Sequence, residues 1–306
     1  MLLKLLLVFC AFVGCLTQSE YFEDNLGGSG SFNEYIAYTR ASENGRVGIP
    51  FNTTLESIEA VNFNSNLTTT FIVHGHQGSA TTSLNPTVKD AILTVEEANV
   101  IIVDWSQYSL QSYENAVKAV PSVGTYLADM IQALLTANVT TLEQVHLVGF
   151  DLGAHVVGYA GRTLNGEVAR ITGLDPVRRS WGENTPRLNI EDAKYVEVIH
   201  TDTGGVFPNG IGTPLGHADF YPNGGGSQPG CLLHRPCCHN RAWEYFAASI
   251  THGHLQGNQC SSLLQMNLNR CRGFLHPMGN NGLSKLGSGI YRLNTKGTYP
   301  YLLTWF

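Results

Sequence analysis

Charged residues are scarce in this chain, and no basic cluster occurs. They make up 14% of its 306 residues, and the formal net charge is −6. Proteins that bind nucleic acid carry a basic patch or stripe, so this composition argues against nucleic acid as a partner. Beyond the N-terminus, no segment approaches the roughly 18 consecutive apolar residues of a transmembrane helix, so we do not expect the chain to span a membrane. Internal repeats and linker-like segments are also lacking, which favours a single domain.

The one long apolar run lies at the N-terminus, where the sequence reads MLLKLLLVFCAFVGCLTQSE. A lysine precedes the apolar segment, and small or polar residues follow it, which is the pattern of a secretory signal peptide. We predict a signal peptide over residues 1–19, cleaved between residues 15 and 19, and a secreted, extracellular domain over residues 20–306. Secretion gives meaning to three N-glycosylation sequons, of which we expect about two to carry a glycan. Their asparagines are Asn52, Asn66 and Asn138.

Cysteine is absent between the predicted signal peptide and the last quarter of the chain. The five cysteines of the mature protein are Cys231, Cys237, Cys238, Cys260 and Cys271. An oxidising compartment favours disulfides between them, and an odd number leaves one thiol free or paired with another chain. We expect one disulfide between Cys260 and Cys271, and a second from Cys231 to either Cys237 or Cys238.

Short apolar runs rich in β-branched residues alternate with segments of helical periodicity. The runs at residues 70–74, 100–104, 145–148 and 195–200 are typical of strands buried on both faces, as in a parallel sheet. Helices are expected over residues 113–135, 152–164 and 241–250, the first of them broken or kinked at Pro121 and Gly124. Strands that alternate with helices predict an α/β fold with a doubly wound, mostly parallel sheet.

A segment framed by two glycines, Gly149-Phe150-Asp151-Leu152-Gly153, has the spacing of the nucleophile elbow G-x-S-x-G, with aspartate in place of serine. A predicted strand precedes it and a predicted helix follows it, as the motif requires. The central residue of an elbow adopts a positive φ, which aspartate tolerates better than most residues. The sequence therefore predicts that the geometry of the elbow is kept while the nucleophilic hydroxyl is lost.

Two residues follow the elbow in the order that α/β-hydrolases use, which is nucleophile, acid and then histidine. Asp175 comes at the end of a strand-like run, and His239 lies in a cysteine-tethered loop just before the expected helix. The His-Gly turn at residues 74–76 would supply one oxyanion N–H group, and Leu152 the other. The elbow therefore has candidate partners for every role except that of a serine.

Several long stretches, in order, resemble the pancreatic lipase family, and more narrowly its short insect members and the related venom phospholipases. They lie between about residues 71 and 279 and read FIVHG, NVIIVDWS, HLVGFDLGAHVVGYAGR, ITGLDPVRRS, YVEVIHTD, LGHADFYPNGGGSQPGC and CCHNRAWEYF. The resemblance implies an α/β-hydrolase fold and the chemistry of lipid ester hydrolysis. It also implies that Asp175 and His239 match the catalytic acid and histidine, and that His76 and Leu152 match the two oxyanion positions.

Three departures from the family pattern accompany Asp151. The lid lies between cysteines that match Cys231 and Cys237, and it is too short here to swing as an amphipathic helix; its residues are Leu232, Leu233, His234, Arg235 and Pro236. The C-terminal lipid-binding β-sandwich of the vertebrate enzymes is not expected, because the sequence stops at Phe306. The calcium-binding segment is matched only in part around Arg187 and Asp192, so we predict neither a metal nor another cofactor.

The aspartate at the elbow leads to three functional hypotheses. In the first, Asp151 forms an ion pair with His239 beside the oxyanion N–H groups, and the protein binds lipid or another apolar small molecule without turnover. In the alternative, Asp151 attacks an epoxide- or halide-type substrate, and water activated by His239, which Asp175 orients, hydrolyses the aspartyl ester. Residual carboxylic ester hydrolysis is the least favoured, because a carboxylate has no proton to transfer to the histidine. The candidate donors for activating an epoxide are Tyr108, Tyr113 and His76.

Overall fold

A computed structural model describes residues 33–183, 185–232 and 234–303. The predicted signal peptide and Leu233 of the short lid lie outside these residues. The strands are β1 (Glu34–Tyr38), β2 (Ile49–Phe51), β3 (Thr69–Val73), β4 (Asn99–Asp104), β5 (Val145–Phe150), β6 (Arg170–Leu174), β7 (Tyr195–Ile199), β8 (Ala218–Pro222), β9 (Gln256–Cys260), β10 (Leu275–Pro277) and β11 (Gly289–Leu293). The helices are α1 (Leu55–Val61), α2 (Leu84–Val95), α3 (Ser106–Ser109), α4 (Tyr113–Thr136), α5 (Leu152–Thr163), α6 (Arg235–His252) and α7 (Leu263–Asn267).

These strands form one sheet in the order β10-β9-β11-β8-β7-β6-β5-β3-β4-β1-β2. The strands from β4 across to β8 and β11 pair in parallel, while antiparallel pairs lie at the two edges. The predicted mostly parallel, doubly wound sheet is therefore confirmed. Its strand order reverses at β3, which pairs with β4 on one side and β5 on the other. Ligands of such sheets bind outside the carboxyl ends of the strands at this reversal.

Helices cover both faces of the sheet, which is why the central strands β3, β6 and β7 are buried at every position. On β3, Phe71 and Val73 belong to the core that includes α4 and α5, whereas Ile72 belongs to the core that includes α2 and α6. Successive side chains of a strand point to opposite faces, so a strand between two helical layers buries all of them. The four predicted strands correspond to β3, β4, β5 and β7, each within two residues at its ends.

Helix α4 passes through Pro121 and Gly124 without interruption, so the predicted break is wrong. The glycine serves the packing of two helices. A Cβ atom at position 124 would lie 2.4 Å from the Cβ atom of Tyr159 on α5 and 2.8 Å from the carbonyl oxygen of Val156. Gly124 therefore lets α4 approach α5 closely, and the apolar face of α4 buried against α5 keeps the helix continuous across the proline.

Helix α6 begins at Arg235, six residues before the predicted start, so Arg235 and Pro236 are helical and do not belong to a free lid. Proline is tolerated there because the backbone N–H groups in the first turn of a helix have no partner within the helix, so the missing N–H of proline loses no hydrogen bond. His239 consequently lies inside the helix, and its predicted position in a loop before the helix is wrong. Among the helices of the described ranges, none has the length and apolar character needed to cross a bilayer.

Candidate active site

The elbow is a sharp turn between β5 and α5 with Asp151 at its tip. Asp151 has φ 57° and ψ −119°, a region that residues with a side chain rarely adopt. The flanking glycines make this turn possible. A Cβ atom on Gly149 would lie 2.2 Å from the carbonyl oxygen of Gly153, and one on Gly153 would lie 2.3 Å from the carbonyl oxygen of Val73. The spacing noted in the sequence therefore has a steric cause.

Asp175 follows β6 and is completely buried. Its Oδ1 atom accepts hydrogen bonds from the backbone N–H groups of Thr201, at 2.8 Å, and Asp202, at 3.0 Å. Its Oδ2 atom lies 2.5 Å from Nδ1 of His239. A Cβ atom on Gly210 would lie 2.4 Å from Oδ1, so this glycine leaves room for the carboxylate. The three hydrogen bonds fix the orientation of the carboxyl group toward the histidine.

His239 reaches the site from the second turn of α6 and lies between two carboxylates. Its Nε2 atom is 3.3 Å from Oδ1 of Asp151, and its Nδ1 atom faces Asp175. The ring of Phe150 packs against the imidazole, with ring centroids 4.5 Å apart. The side chain of His239 is 13% exposed and that of Asp151 is 11% exposed. The structure thus brings the elbow residue, the acid and the histidine into one connected set.

The Asp151 carboxylate also contacts the predicted oxyanion positions. Its Oδ2 atom accepts a hydrogen bond of 2.8 Å from the backbone N–H of His76, and the N–H of Leu152 also bonds to the carboxylate. Gly75 makes this approach possible, because a Cβ atom there would lie 2.4 Å from Cβ of Asp151 and 2.5 Å from its Oδ2 atom. A carboxylate oxygen therefore occupies the predicted oxyanion position at the N–H of His76.

The two carboxylates determine the protonation state of His239. Burial alone would lower its pKa, but its contacts with Asp151 and Asp175 and their negative charges raise the pKa to about 10. Burial opposes ionisation of Asp151, yet His239 and the N–H groups of Leu152 and His76 outweigh it and lower the pKa of that carboxyl group. At neutral pH the site therefore holds an imidazolium between two carboxylates.

A third acidic residue, Asp202, lies beside this set and did not figure in the sequence-based site. Its carboxylate is 2.6 Å from Nη2 of Arg235 and accepts a hydrogen bond of 2.6 Å from the side-chain amide of Asn209. Burial and the charge of Asp175 raise its pKa to about 6, against the opposing charge of Arg235. The position was detectable, because Asp202 comes three residues after the end of β7, where polar groups of a parallel sheet converge. Arg235, predicted in the lid, instead anchors the start of α6.

Proteins similar in sequence to this chain include the following three. Pancreatic lipase-related protein 2 of Cavia porcellus is 40% identical over 222 residues, which cover 71% of this chain and 51% of that protein. Pancreatic triacylglycerol lipase of Myocastor coypus is 32% identical over 287 residues, covering 86% of this chain and 61% of that protein. A human relative named inactive pancreatic lipase-related protein 1 is 40% identical over 218 residues, or 63% of this chain and 46% of that protein.

The family model Lipase matches residues 32–299. The chain belongs to the pancreatic lipase family. The resemblance to the pancreatic lipase family and the predicted α/β-hydrolase fold are both confirmed. The narrower resemblance to short insect members and venom phospholipases stays a prediction. The chain spans roughly half to three fifths of the length of these relatives, from 46% to 61%.

Relative to the pattern of this family, the segment between Cys231 and Cys237 is short and closed by a disulfide between these two residues. Leu232 is 87% exposed, and His234 caps α6. The second disulfide joins Cys260 to Cys271. The remaining thiol, Cys238, is free and buried, which selects Cys237 over it as the partner of Cys231. The three sequon asparagines are exposed, so all are accessible to a glycan, and their use stays a prediction.

The residues that match the family's calcium-binding segment only in part form a different contact here. The carboxylate of Asp192 is buried and lies 2.9 Å from Nη2 of Arg162, and it accepts a 3.0 Å hydrogen bond from the N–H of Asn189. Burial raises the pKa of Asp192 to about 6 despite the charge of Arg162. The guanidinium therefore supplies positive charge beside this carboxylate. In the part of the chain that the structure describes, no group of three or more His, Cys, Asp or Glu residues is arranged to hold a metal ion.

The side chains proposed as epoxide-activating donors are held in contacts or buried in this structure. The hydroxyl of Tyr113 donates a 2.6 Å hydrogen bond to the carbonyl oxygen of Arg179. The Nε2 atom of His76 lies 3.1 Å from the carbonyl oxygen of Gln111. Tyr108 is 3% exposed, within the core that includes α4. Use of Tyr113 or His76 as a donor to a substrate would require breaking a contact present in this structure.

Proposed function

We propose that this protein is a secreted member of the pancreatic lipase family that does not hydrolyse esters and that binds lipid or another apolar ligand at its former active site. The observation that carries this proposal is the position of the Asp151 carboxylate. It contacts His239 at 3.3 Å and the backbone N–H of His76 at 2.8 Å. One side chain thus engages both the histidine and an oxyanion donor.

Ester hydrolysis requires an empty oxyanion site. Hydrogen-bond donors of such a site stabilise the tetrahedral intermediate from about 2.7–3.1 Å, and this stabilisation is worth about 10²–10³ in rate per donor. The Oδ2 atom of Asp151 lies within that distance of the N–H of His76. A substrate carbonyl would have to displace an ionised carboxylate from its hydrogen bonds, which argues against a productive complex.

Ester hydrolysis also requires a neutral histidine as general base. The pKa of His239 is raised to about 10 by its contacts with Asp151 and Asp175 and by their charges, which exceed the opposing effect of burial. At pH 7 its ring therefore keeps the proton, and Asp151, as an anion, has none to give. Both the serine mechanism and direct activation of water by His239 are disfavoured for the same reason.

Exposed apolar side chains that lie close in sequence to residues of the site support binding of an apolar ligand. Leu110 is 60% exposed and comes just before Gln111, whose carbonyl oxygen contacts His76. Leu232 is 87% exposed and lies in the disulfide loop before α6. Phe207 is 85% exposed and lies between Asp202 and Gly210, the glycine that leaves room for the Asp175 carboxylate. Exposed apolar patches are typical of ligand or partner sites, and these three residues are candidates for such a patch.

A second candidate function is favoured by one feature of the geometry. The Oδ2 atom of Asp151 is held by an N–H group while Oδ1 faces His239, the orientation in which Oδ1 can attack a saturated carbon. Formation of the aspartyl ester would neutralise Asp151, lower the pKa of His239 and allow it to activate water. The engaged hydroxyl of Tyr113 weighs against this candidate, because an epoxide oxygen needs a proton donor.

The deciding experiment is a substrate screen on three forms of the full secreted chain: wild type, Asp151→Ser and Asp151→Ser/His239→Ala. Triacylglycerols, phospholipids, short-chain esters, epoxides and haloalkanes are offered to each. Loss of the nucleophile from a serine hydrolase costs about 10⁶ in rate, so a restored serine should give a large gain. We expect ester hydrolysis by Asp151→Ser alone, and lipid in organic extracts of the purified wild type. Ester hydrolysis by wild type at the rate of Asp151→Ser would refute the proposal.

The second candidate is tested by a single turnover in ¹⁸O-water. An aspartyl ester hydrolysed at its carbonyl carbon leaves the label in the Asp151 carboxylate, which mass spectrometry of the peptide detects. Label in Asp151 together with turnover of an epoxide or haloalkane would establish that function in place of the first. Turnover with label only in the product would exclude the covalent route.

A further inference from the structure

The charges of this chain are distributed unevenly between its C-terminal part and the rest. Residues 245–306 contain five Lys or Arg residues and no Asp or Glu, whereas the whole chain has 18 and 24. The last three strands of the sheet in chain order, β9 to β11, belong to this part and form one edge of the sheet. This part therefore contributes positive charge in a protein of net charge −6, although one of its five cations, Lys285, is buried in an ion pair with Glu197.

A single loop on this edge combines positive charge with exposed apolar side chains. We call residues 260–275 the clipped loop, because the disulfide between Cys260 and Cys271 closes it. The backbone of Gln259 also pairs with both Gly273, at 2.9 Å, and Phe274, at 3.0 Å. The loop is thus fixed at its base by a covalent bond and by main-chain hydrogen bonds. Its surface is held in place before any partner binds.

Four large apolar side chains of the clipped loop are exposed. Leu264 is 68% exposed and Leu268 is 51% exposed; they are four residues apart, on one face of the α7 turn. Phe274 is 87% exposed and Leu275 is 60% exposed where the chain enters β10. Four exposed leucine and phenylalanine side chains within residues 264–275 are a density typical of an interaction surface.

Two arginines flank these apolar residues. Arg270 and Arg272 are both exposed and lie on either side of Cys271, with Leu268 and Phe274 two residues further out. Apolar side chains combined with Lys or Arg are typical of surfaces that insert at the headgroup region of an anionic membrane. We propose that the clipped loop docks on an anionic lipid surface.

Other polyanions and a second copy of the chain fit the clipped loop less well. A sulfated polysaccharide would pair with the arginines but would leave Phe274 and the leucines in water, without the gain from burying them. An isologous contact between two copies would bring Arg270 and Arg272 of one copy against the same residues of its partner. A lipid surface satisfies the charge and the apolar side chains together.

The docking surface is separate from the candidate active site. Strands β7, β8 and β11 lie between β9, which leads into the loop, and β6, which leads into Asp175. Since neighbouring strands are about 4.8 Å apart, the two sites are on the order of 20 Å from each other. The inference therefore goes beyond the proposed function, and Asp151→Ser should bind vesicles as wild type does. Vesicle binding therefore tests the docking surface, whereas the substrate screen tests the proposed function.

The test is co-sedimentation of the full chain with vesicles of phosphatidylcholine alone or with phosphatidylserine at a ratio of 7:3. We expect binding to the anionic vesicles that weakens as salt rises. Each arginine contributes about five-fold to the affinity for an anionic surface, so Arg270→Gln/Arg272→Gln should raise Kd about 25-fold. Phe274→Ser should raise it at least about ten-fold. The matched control, Arg46→Gln/Lys118→Gln, removes two exposed charges elsewhere and should change Kd less than two-fold.

Circular dichroism should show all these variants folded, because the substituted side chains are exposed. Equal vesicle binding by the loop variants and the control would overturn the proposal, as would absence of binding to anionic vesicles. Binding to heparin that needs the arginines but not Phe274, without binding to vesicles, would assign the surface to a polysaccharide instead. A dimer of wild type that Phe274→Ser dissociates, again without vesicle binding, would assign it to a second copy.

Discussion

Replacing Asp151 with asparagine removes one of the two carboxylates on His239 and keeps the shape of the side chain. His239 has a pKa of about 10 in the folded chain, because its contacts with Asp151 and Asp175 and their charges exceed the opposing effect of burial, against an ordinary value of 6.5. A group whose pKa is higher in the folded state stabilises the fold fully below its unfolded pKa. That stabilisation is lost as pH rises through the folded pKa. For His239 the loss between pH 7 and pH 10 is about 3 kcal/mol.

In Asp151→Asn only Asp175 remains to hold the proton. If the two carboxylates contribute about equally, the loss of stability between pH 7 and pH 10 shrinks to about 1 kcal/mol. Lys285, whose pKa burial lowers to about 8, titrates in the same range with the opposite sign in both proteins. The difference between the two proteins, about 2 kcal/mol over this range, is therefore the quantity to measure.

The assay is urea unfolding of wild type and Asp151→Asn at intervals from pH 6 to pH 10, with the ring protons of His239 followed by NMR. Asp129→Asn is the matched control, since it removes one carboxylate from an exposed position on α4. The control should reproduce the pH dependence of wild type. Parallel stability curves for wild type and Asp151→Asn, or a His239 titration near its ordinary value in wild type, would refute the reasoning.

Two further predictions concern buried contacts. A Cβ atom on Gly75 would lie 2.4 Å from Cβ of Asp151, whereas one on Gly182 would meet no atom within 4 Å. Gly75→Ala should therefore lower the free energy of unfolding by about 1–3 kcal/mol, and Gly182→Ala by less than about 0.5, both measured in urea. Glu197 is completely buried and lies 3.3 Å from the buried guanidinium of Arg170. Glu197→Gln should lower the free energy of unfolding by about 3–5 kcal/mol in the same assay. A decrease below about 1 kcal/mol would show that the guanidinium of Arg170 does not need the charge of Glu197.

The strands that carry the site could be predicted because they are buried on both faces. Strands β3, β4, β5 and β7 contain short runs of apolar, β-branched residues. Such runs are typical of strands buried on both faces and are not expected in exposed segments. Strand β9 could not be predicted, since its sequence QGNQC has neither apolar character nor alternation. It is a strand because β10 and β11 pair with it on both sides, a long-range condition that local sequence does not record.

The candidate site shows the same division. The elbow could be predicted because glycine spacing records a local steric need, and Asp175 because it ends a strand. The position of His239 within a helix could not, since the polar first turn of α6 lacks the apolar periodicity that marks a helix. The contact between Arg235 and Asp202 joins residues 33 positions apart, and only the fold brings them together.

The charges of the site explain how a buried aspartate can stand at the tip of the elbow. A buried carboxylate requires a compensating positive charge, and His239 supplies it by keeping its proton between Asp151 and Asp175. A neutral His239 would leave the two buried carboxylates without a cation between them. With Asp151 at the elbow, the histidine keeps its proton and contacts both carboxylates. His239 is needed to offset the two carboxylates, so an intact acid and histidine require no catalysis to explain them. The presence of Asp175 and His239 is therefore no evidence that the protein is an enzyme. The measurement that decides the question is the ester hydrolysis gained by Asp151→Ser.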